Sequence, residues 1–167
     1  MKTILWAALT ANGNYAQSSP EHPPKQKAPG DFAAHAKKAG NFIVGRRTFL
    51  GFKVSGADKA FGEADIVVLS RNATEVPGAT CAVSPKEALS YLERNGHKTA
   101  LLAGGESLHN AFLAEDLVDE LVFNVTPALE SKGLKLLLPE GKYKEVRLLD
   151  FKDIGNGIVQ LHYAVDH

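Results

Sequence analysis

Residues 99–127 read TALLAGGESLHNAFLAEDLVDELVFNVTP, and this stretch decides the fold. A short apolar run from Thr99 to Ala103 ends at Gly104-Gly105, and apolar side chains then recur at helical spacing from Glu106 to Leu113. A second apolar run, Val118 to Val125, follows. The segment predicts a strand, a glycine turn, a helix and another strand. Because two glycines let the backbone approach a ligand and leave the first helical N–H groups open, the turn is suited to binding an anion.

The composition favours a single domain over residues 1–167, since 167 residues with 44% apolar content are enough for one sizeable core. The 19 basic and 19 acidic side chains balance, which argues against a nucleic-acid or membrane-surface partner. No apolar run approaches the roughly 20 residues that span a bilayer. A single cysteine suits a reducing compartment, so we expect a cytoplasmic protein. The histidines lack the paired spacing of a metal site, and we predict no metal.

The chain alternates strands with helices, beginning with a strand from about Thr3 to Leu9. The next segment, Gln17 to Gly30, is polar and holds four prolines, which are incompatible with a helix or an inner strand. It is interpreted either as a functional lid or as a surface insertion. Asp31 stands at the N-cap position of a first helix over Phe32 to Ala39, and Gly40 is placed to end that helix.

Further buried strands are predicted at Asn41–Gly45, Asp65–Leu69 and Thr80–Val83. Between them we expect a short helical turn from Arg46 to Phe49 that breaks near Gly51, and after them a helix with a serine N-cap at Ser84. The last two strands, Lys144 to Phe151 and Ile158 to Val165, have no helix between them and should pair as an antiparallel hairpin. The prediction is an α/β fold with a mixed, largely parallel central sheet and a C-terminal hairpin.

Three strand ends carry residues suited to a nucleotide. Ligands of open α/β sheets bind at the carboxyl ends of parallel strands. Taken singly, each end has an ordinary explanation as a turn or a solvated side chain. Together, guanidinium and hydroxyl groups can grip a phosphate monoester while the glycine turn holds a diphosphate, which fits NADPH better than NADH or ATP. The predicted cofactor-binding residues are Gly45, Arg46, Arg47, Thr48, Leu69, Ser70, Arg71, Gly104, Gly105, Glu106 and Ser107.

The sequence resembles a known family at three places. The segment Gly45-Arg46-Arg47-Thr48-Phe49 is similar to the Gly-Arg-x-Thr-aromatic segment of dihydrofolate reductases. The turn Leu101–Gly105, followed by Leu117–Leu121, resembles the reductase domain of bacterial riboflavin deaminase-reductases, which shares that fold. Thr10–Gly13 with Tyr15-Ala16 is similar to the Ser-x-Asp-Gly-x-Ile-Ala segment of the same domain.

The resemblance implies a three-layer dihydrofolate reductase-like fold, NADPH bound across the strand ends, and a homodimer. It also implies that Ala8, Tyr15 and Ala16 approach the nicotinamide. Asn12, which stands where the family has an aspartate, would be a substrate contact. A second departure is Glu130-Ser131-Lys132-Gly133, where the family usually has a glycine pair. The deaminase zinc signature is missing, so the bifunctional enzyme is excluded.

The leading hypothesis is an NADPH-dependent reductase of the riboflavin type that transfers hydride to a small heterocyclic or ribosylamino-pyrimidine substrate. Asp31 is the candidate proton donor, with a simple N-cap as its alternative, and Trp6 is a candidate substrate contact with a core role as its alternative. His109, on the helix after the glycines, is interpreted as a surface residue. Two other functions stay open: a dihydrofolate reductase, and a non-catalytic nucleotide-binding protein on the same scaffold.

Overall fold

The computed structural model describes residues 1–16, 27–72, 75–131 and 133–167, with the side chains of residues 27–30 left out. Most of the segment for which a lid was considered, together with Lys132, therefore lies outside the described residues. In the described part, eight strands form one sheet; their bounds are β1 Lys2–Thr10, β2 Asn41–Gly45, β3 Asp65–Leu69, β4 Thr80–Ala82, β5 Thr99–Gly104, β6 Glu120–Thr126, β7 Val146–Asp153 and β8 Val159–Val165.

The strands lie in the order β4-β3-β2-β5-β1-β6-β8-β7. Neighbours from β4 to β6 pair in parallel, whereas β8 is antiparallel to β6 and β7 is antiparallel to β8. The predicted mixed, largely parallel sheet with a C-terminal hairpin is confirmed. Its helices are α1 Lys27–Ala39, α2 Arg46–Ser55, α3 Pro85–Arg94 and α4 Glu106–Ala114, with a 3₁₀ helix at Ala57–Phe61.

Alternation along the strands divides the core into two layers, one on each face of the sheet. Leu5 in β1 and Ile43 in β2 pack with α3 and α4, whose inward residues include Leu92 and Phe112. The opposite face is aromatic and packs with α1, α2 and the 3₁₀ helix; it holds Trp6, Phe32, Phe42, Phe49 and Phe61. Both faces of the central strands are covered, and in β2 every residue from Asn41 to Val44 is buried.

Two predicted helix boundaries are wrong. The first helix begins at Lys27, so Asp31 lies inside α1 and is not its N-cap. Pro29 is tolerated there because the first turn of a helix has no internal acceptors for its N–H groups. The second helix does not break at Gly51 but continues to Ser55, since Phe49 and Phe52 on its inner side join the aromatic layer. It ends at Gly56, whose φ of +76° suits glycine.

Other local predictions are confirmed. The strands at Asn41–Gly45 and Asp65–Leu69 have the predicted bounds. Ser84 Oγ accepts a hydrogen bond from Glu87 N at 3.2 Å and caps α3. Gly40 ends α1 with a φ of +76° and a hydrogen bond from its N–H to Ala36 O. Sequence reasoning missed the 3₁₀ helix, which adds Phe61 to the aromatic layer.

The aromatic layer should dominate stability, and Phe42 at its centre tests this. Phe42 is fully buried and packs against Phe32 and Phe61, with ring centroids 5.5 and 4.8 Å away. We expect Phe42→Ala to lower the free energy of unfolding by about 3–5 kcal/mol in urea titrations, because it leaves a cavity. Val54→Ala, at a site 91% exposed, is the control and should change it by less than about 0.5 kcal/mol. Equal effects would contradict this packing.

Candidate functional site

The three predicted strand ends meet at one edge of the sheet. β3, β2 and β5 are consecutive neighbours and run parallel, so their carboxyl ends lie side by side. A Cβ on Gly45 would lie 3.6 Å from both Gly104 O and Gly105 N, and a Cβ on Gly105 would lie 3.3 Å from Thr48 Oγ1. Gly104 has a φ of +122°, which favours glycine, and its peptide bond to Gly105 is cis. The glycines thus let two strand ends approach closely.

Two helix N-termini open at this edge. α2 begins after Gly45 and α4 begins after Gly105, and neither N-cap residue supplies a side-chain hydrogen bond to its helix. The first N–H groups of both helices are therefore available to an anion, which the helix dipoles also favour. Glu106 and Ser107 lie in the first turn of α4, with Ser107 Oγ 3.5 Å from Glu106 Oε2.

The predicted arginines lie at the same edge. Arg46 and Arg47 open α2, and Arg71 follows β3; all three are exposed. Within the described ranges, none of the three forms an ion pair with a carboxylate. Ser70 N donates to Ala82 O at 2.9 Å, so the loop after β3 is fixed to β4, while Leu69 ends β3. The edge consequently presents positive charge.

A cavity of about 260 Å³ adjoins the glycine turn. Its described lining is mainly apolar and aromatic, and it brings together seven residues that the sequence assigned to a site: Trp6, Ala8, Tyr15, Ala16, Thr48, Gly104 and Gly105. The sequence did not assign other members of the wall, which include Phe32, Phe52, Phe61 and His109. A concave apolar space with a few polar groups is the usual form of a small-molecule site.

Asp31 lies behind this cavity and is absent from its described lining. Its Oδ2 accepts hydrogen bonds from Trp6 Nε1 at 2.9 Å, Asn124 Nδ2 at 3.0 Å and Gln160 Nε2 at 2.9 Å, while His35 Nε2 lies 3.6 Å away. Burial alone would raise the pKa of Asp31, but hydrogen bonds to its charged form outweigh burial and hold the pKa well below its ordinary value. The carboxylate stays ionised and fixes the Trp6 indole in the cavity wall.

Asn12 is exposed and also lies outside the described cavity lining. Its Nδ2 donates to Glu130 O at 2.7 Å, and its Oδ1 accepts from Glu130 N at 3.2 Å and from Thr10 Oγ1 at 2.8 Å. An amide can both donate to Glu130 O and accept from Glu130 N, whereas an ionised aspartate can only accept hydrogen bonds. The asparagine thus joins the turn after β1 to the loop after β6. A substrate contact for Asn12 stays a prediction.

The interpretation of His109 as a surface residue is wrong, because its side chain is only 1% exposed. His109 Nε2 lies 3.1 Å from Leu102 O, and Nδ1 lies 2.6 Å from the Tyr15 hydroxyl. Burial lowers the pKa of His109 to about 4, and burial followed by the nearby charge of Glu106 raises the pKa of Tyr15. The spacing of His109 to the inward Phe112 and Leu113 of α4 was a signal for its burial.

Comparison with known proteins agrees with this architecture. Residues 4–160 match the family model of the RibD C-terminal domain, and the chain belongs to that family. The uncharacterized protein YwjB of Bacillus subtilis (strain 168) is 36% identical over 63 residues, which cover 38% of this chain and 36% of YwjB. The aligned part thus spans about a third of that curated relative.

Solved structures share the fold. A putative riboflavin biosynthesis protein from Shewanella sp. PV-4 superposes with a TM-score of 0.81 at 20% identity and full coverage of both chains. A pyrimidine reductase-like protein from Corynebacterium diphtheriae gives a TM-score of 0.75 at 15% identity, covering 99% of this chain and 92% of the other. The dihydrofolate reductase-like fold expected from the resemblance is therefore confirmed.

Among the described residues, no three histidine, cysteine or acidic side chains form a group that could hold a metal ion. Over the same ranges, every helix is too short or too polar to cross a membrane.

The hydrogen bonds to Asp31 predict a pH-dependent contribution to stability. In the folded protein the pKa of Asp31 lies below its ordinary value of 3.8. The carboxylate therefore stabilises the fold at pH values above the unfolded-state pKa, and this contribution is lost as the pH falls through the folded-state pKa. We expect Asp31→Asn to lower the free energy of unfolding by about 2 kcal/mol at pH 7 and by less at pH 3. Urea titrations at both pH values measure this, with exposed Asp166→Asn as the control. A difference that grows on acidification would contradict the assignment.

Proposed function

We propose that this protein is an NADPH-dependent reductase that transfers hydride to a flat heterocycle, with a ribosylamino-pyrimidine of riboflavin biosynthesis as the favoured substrate. The observation that carries the proposal is the junction of an aromatic cavity with a glycine turn between two helix N-termini. Family membership and the similarity to the putative riboflavin biosynthesis protein from Shewanella sp. PV-4 support the choice of reaction. The single cysteine suits the reducing cytoplasm in which this chemistry would take place.

The geometry fits a phosphorylated dinucleotide. A Cβ on Gly105 would lie only 3.3 Å from Thr48 Oγ1, so the glycine keeps the start of α4 open, and a diphosphate could lie directly on the backbone there, beside Glu106 and Ser107. Arg46, Arg47 and Arg71, with the hydroxyls of Thr48 and Ser70, would hold the ribose phosphate that distinguishes NADPH from NADH. Ala8, Tyr15 and Ala16 would lie along the nicotinamide in the cavity.

The bound cofactor would supply the hydride, so the protein's task is mainly placement in a water-poor site. Small side chains at Ala8 and Ala16 allow a flat ring to approach β1, while Trp6 provides a rigid wall. Asp31 would act through Trp6, because its carboxylate holds the indole nitrogen at 2.9 Å. In this proposal Asp31 is a positioning residue, and a direct role in proton delivery stays a prediction.

A second candidate is a non-catalytic nucleotide-binding protein. The observation in its favour is Asn12, whose side chain is engaged by the backbone of Glu130 where the family has an aspartate. Both candidates require NADPH binding, whereas only the reductase oxidises NADPH when a pyrimidine ribosylamine is added. Oxidation with dihydrofolate instead would identify a dihydrofolate reductase.

Binding of NADPH should quench the fluorescence of Trp6, which is the only tryptophan and lies in the cavity wall. We expect Arg71→Ala to weaken NADPH binding about tenfold and to leave NADH binding unchanged, because the guanidinium would contact only the additional phosphate. Exposed Arg94→Ala, at the far end of α3, is the matched control.

The absence of any response to NADPH in fluorescence or calorimetry would contradict the proposed function. If Arg71→Ala lowered the affinities for NADPH and NADH equally, the assignment of the ribose phosphate to this arginine would be contradicted.

We also propose a homodimer formed through β7. This strand is the last in the sheet, all eight of its residues are exposed, and its apolar members are Val146, Leu148, Leu149 and Phe151. A long apolar edge strand aggregates unless a specific partner covers it. A second copy of the chain could extend the sheet or cover the apolar side chains, as the family resemblance implies.

If β7 forms the dimer interface, a charged side chain on β7 should lower the molecular mass of the protein in solution from that of a dimer to that of a monomer. Phe151 is 67% exposed, and we expect Phe151→Lys to shift the wild-type dimer to a monomer in sedimentation velocity, since burying lysine in an apolar interface is costly. Val54→Lys, on an exposed position of α2, should leave the dimer intact. A monomeric wild-type protein at micromolar concentration would contradict the proposal.

A further inference from the structure

The hydrogen-bonded pair of half-buried Tyr15 and buried His109 lies in the cavity wall and is not explained by hydride transfer. The two rings come from different parts of the fold, the turn after β1 and the first half of α4, and their hydrogen bond is 2.6 Å long. Both residues line the cavity beside Gly104 and Gly105. A Cβ on Gly104 would lie 3.6 Å from His109 Cε1, so the imidazole packs directly against the glycine turn.

The backbone carbonyl of Leu102 decides which nitrogen of His109 carries the proton. A carbonyl oxygen only accepts hydrogen bonds, and it lies 3.1 Å from Nε2. Nε2 must therefore carry hydrogen, since the other tautomer would set two lone pairs against each other in a buried site. A neutral imidazole has a single N–H, which leaves Nδ1 as an acceptor for the Tyr15 hydroxyl.

His109 remains neutral because its surroundings do not compensate a buried charge. The ring is almost fully buried, and its two polar contacts are a backbone carbonyl and a phenol. The charged group that acts on the pair is Glu106, one turn earlier on α4, whose charge disfavours ionisation of Tyr15. At neutral pH the directions of both hydrogen bonds are thus fixed: Tyr15 Oη donates to His109 Nδ1, and His109 Nε2 donates to Leu102 O.

We propose that His109 makes the Tyr15 hydroxyl an acceptor only, so that the ligand group meeting this hydroxyl in the cavity must be a hydrogen-bond donor. The hydroxyl has one hydrogen, which His109 binds, and only lone pairs remain for a ligand. A ligand carbonyl facing Tyr15 would be repelled. The carboxamide amine of reduced nicotinamide and the ring N–H of a heterocyclic substrate both meet the requirement, and this choice of ligands rests on the proposed function.

The cofactor arm of the test uses two reduced NADP analogues. The thionicotinamide analogue keeps the amine, whereas the 3-acetylpyridine analogue has a methyl group in its place. If the donor is the carboxamide, the wild type should bind the acetylpyridine analogue about tenfold more weakly than the thionicotinamide analogue, and Tyr15→Phe should bind both about equally. Tyr143→Phe, at an exposed tyrosine, should keep the wild-type ratio.

The substrate arm uses 5,6-diaminouracil and its 1,3-dimethyl derivative, which lacks the ring N–H groups, bound to protein saturated with NADPH. If the donor belongs to the heterocycle, Tyr15→Phe should reduce the preference for 5,6-diaminouracil about tenfold and leave the ratio of cofactor analogues unchanged. A Tyr15-dependent loss in either arm supports the proposal. Ratios that Tyr15→Phe leaves unchanged in both arms would overturn it.

His109→Leu provides a second variant, because it releases the Tyr15 hydrogen. The freed hydroxyl could then donate to the acetyl oxygen, so the discrimination against the acetylpyridine analogue should fall while the tyrosine remains. Suppose that the wild-type ratio depends on Tyr15 but a folded His109→Leu protein still discriminates against the acetylpyridine analogue. His109 would then not set the direction of the Tyr15 hydroxyl, and the proposal would be overturned.

The tautomer itself can be measured without any ligand. Long-range ¹H–¹⁵N correlation spectra of the wild type should show a neutral His109 with its proton on Nε2 across pH 6–8. A proton on Nδ1, or a charged ring, would overturn the proposal even if NADPH binds. Conversely, a wild type that does not bind NADPH but shows the expected tautomer would refute the proposed function and leave the polarity of the pair intact.

Discussion

The close approach of the chain at Gly45 to the chain at Gly104 and Gly105 governs the geometry of the whole candidate site. Because β2 and β5 are parallel neighbours, their carboxyl ends meet at one edge, where a Cβ on Gly45 would lie in van der Waals contact with Gly104 O and Gly105 N. Their contact places the N-termini of α2 and α4 beside each other. The same turn forms the rim of the aromatic cavity. The proposed anion binding and ring placement therefore depend on one backbone arrangement.

A partly buried carboxylate then fixes the part of the cavity wall that Trp6 forms. Asp31 on α1 joins β1 through Trp6, β6 through Asn124 and β8 through Gln160, and these donors keep it charged despite burial. Three donors around one oxygen orient the indole without leaving an unpaired polar group. The Tyr15–His109 pair, which also lines the cavity, is neutral, so the site combines an ionised anchor behind Trp6 with an uncharged hydrogen-bonded pair.

Local features of the fold and the meeting of parallel strand ends were predictable, whereas side-chain contacts between distant segments were not. The strands at Asn41–Gly45 and Asp65–Leu69, the cap at Ser84 and the terminal hairpin follow from periodicity, capping and turn residues. The strand ends were found because parallel strands place their carboxyl ends together. The environment of Asp31 was missed, since its partners Asn124 and Gln160 are 93 and 129 residues away in sequence. An N-cap was the simplest local explanation, and Pro29 concealed the true start of the helix.

A crystal structure of the protein with NADPH tests the central claim most directly. The account predicts the ribose phosphate between the guanidinium groups of Arg46, Arg47 and Arg71, the diphosphate on the Gly104-Gly105 turn, and the nicotinamide within the cavity next to Ala8. A cofactor bound at another face of the sheet, or arginine side chains directed to separate surfaces with the phosphates elsewhere, would contradict it.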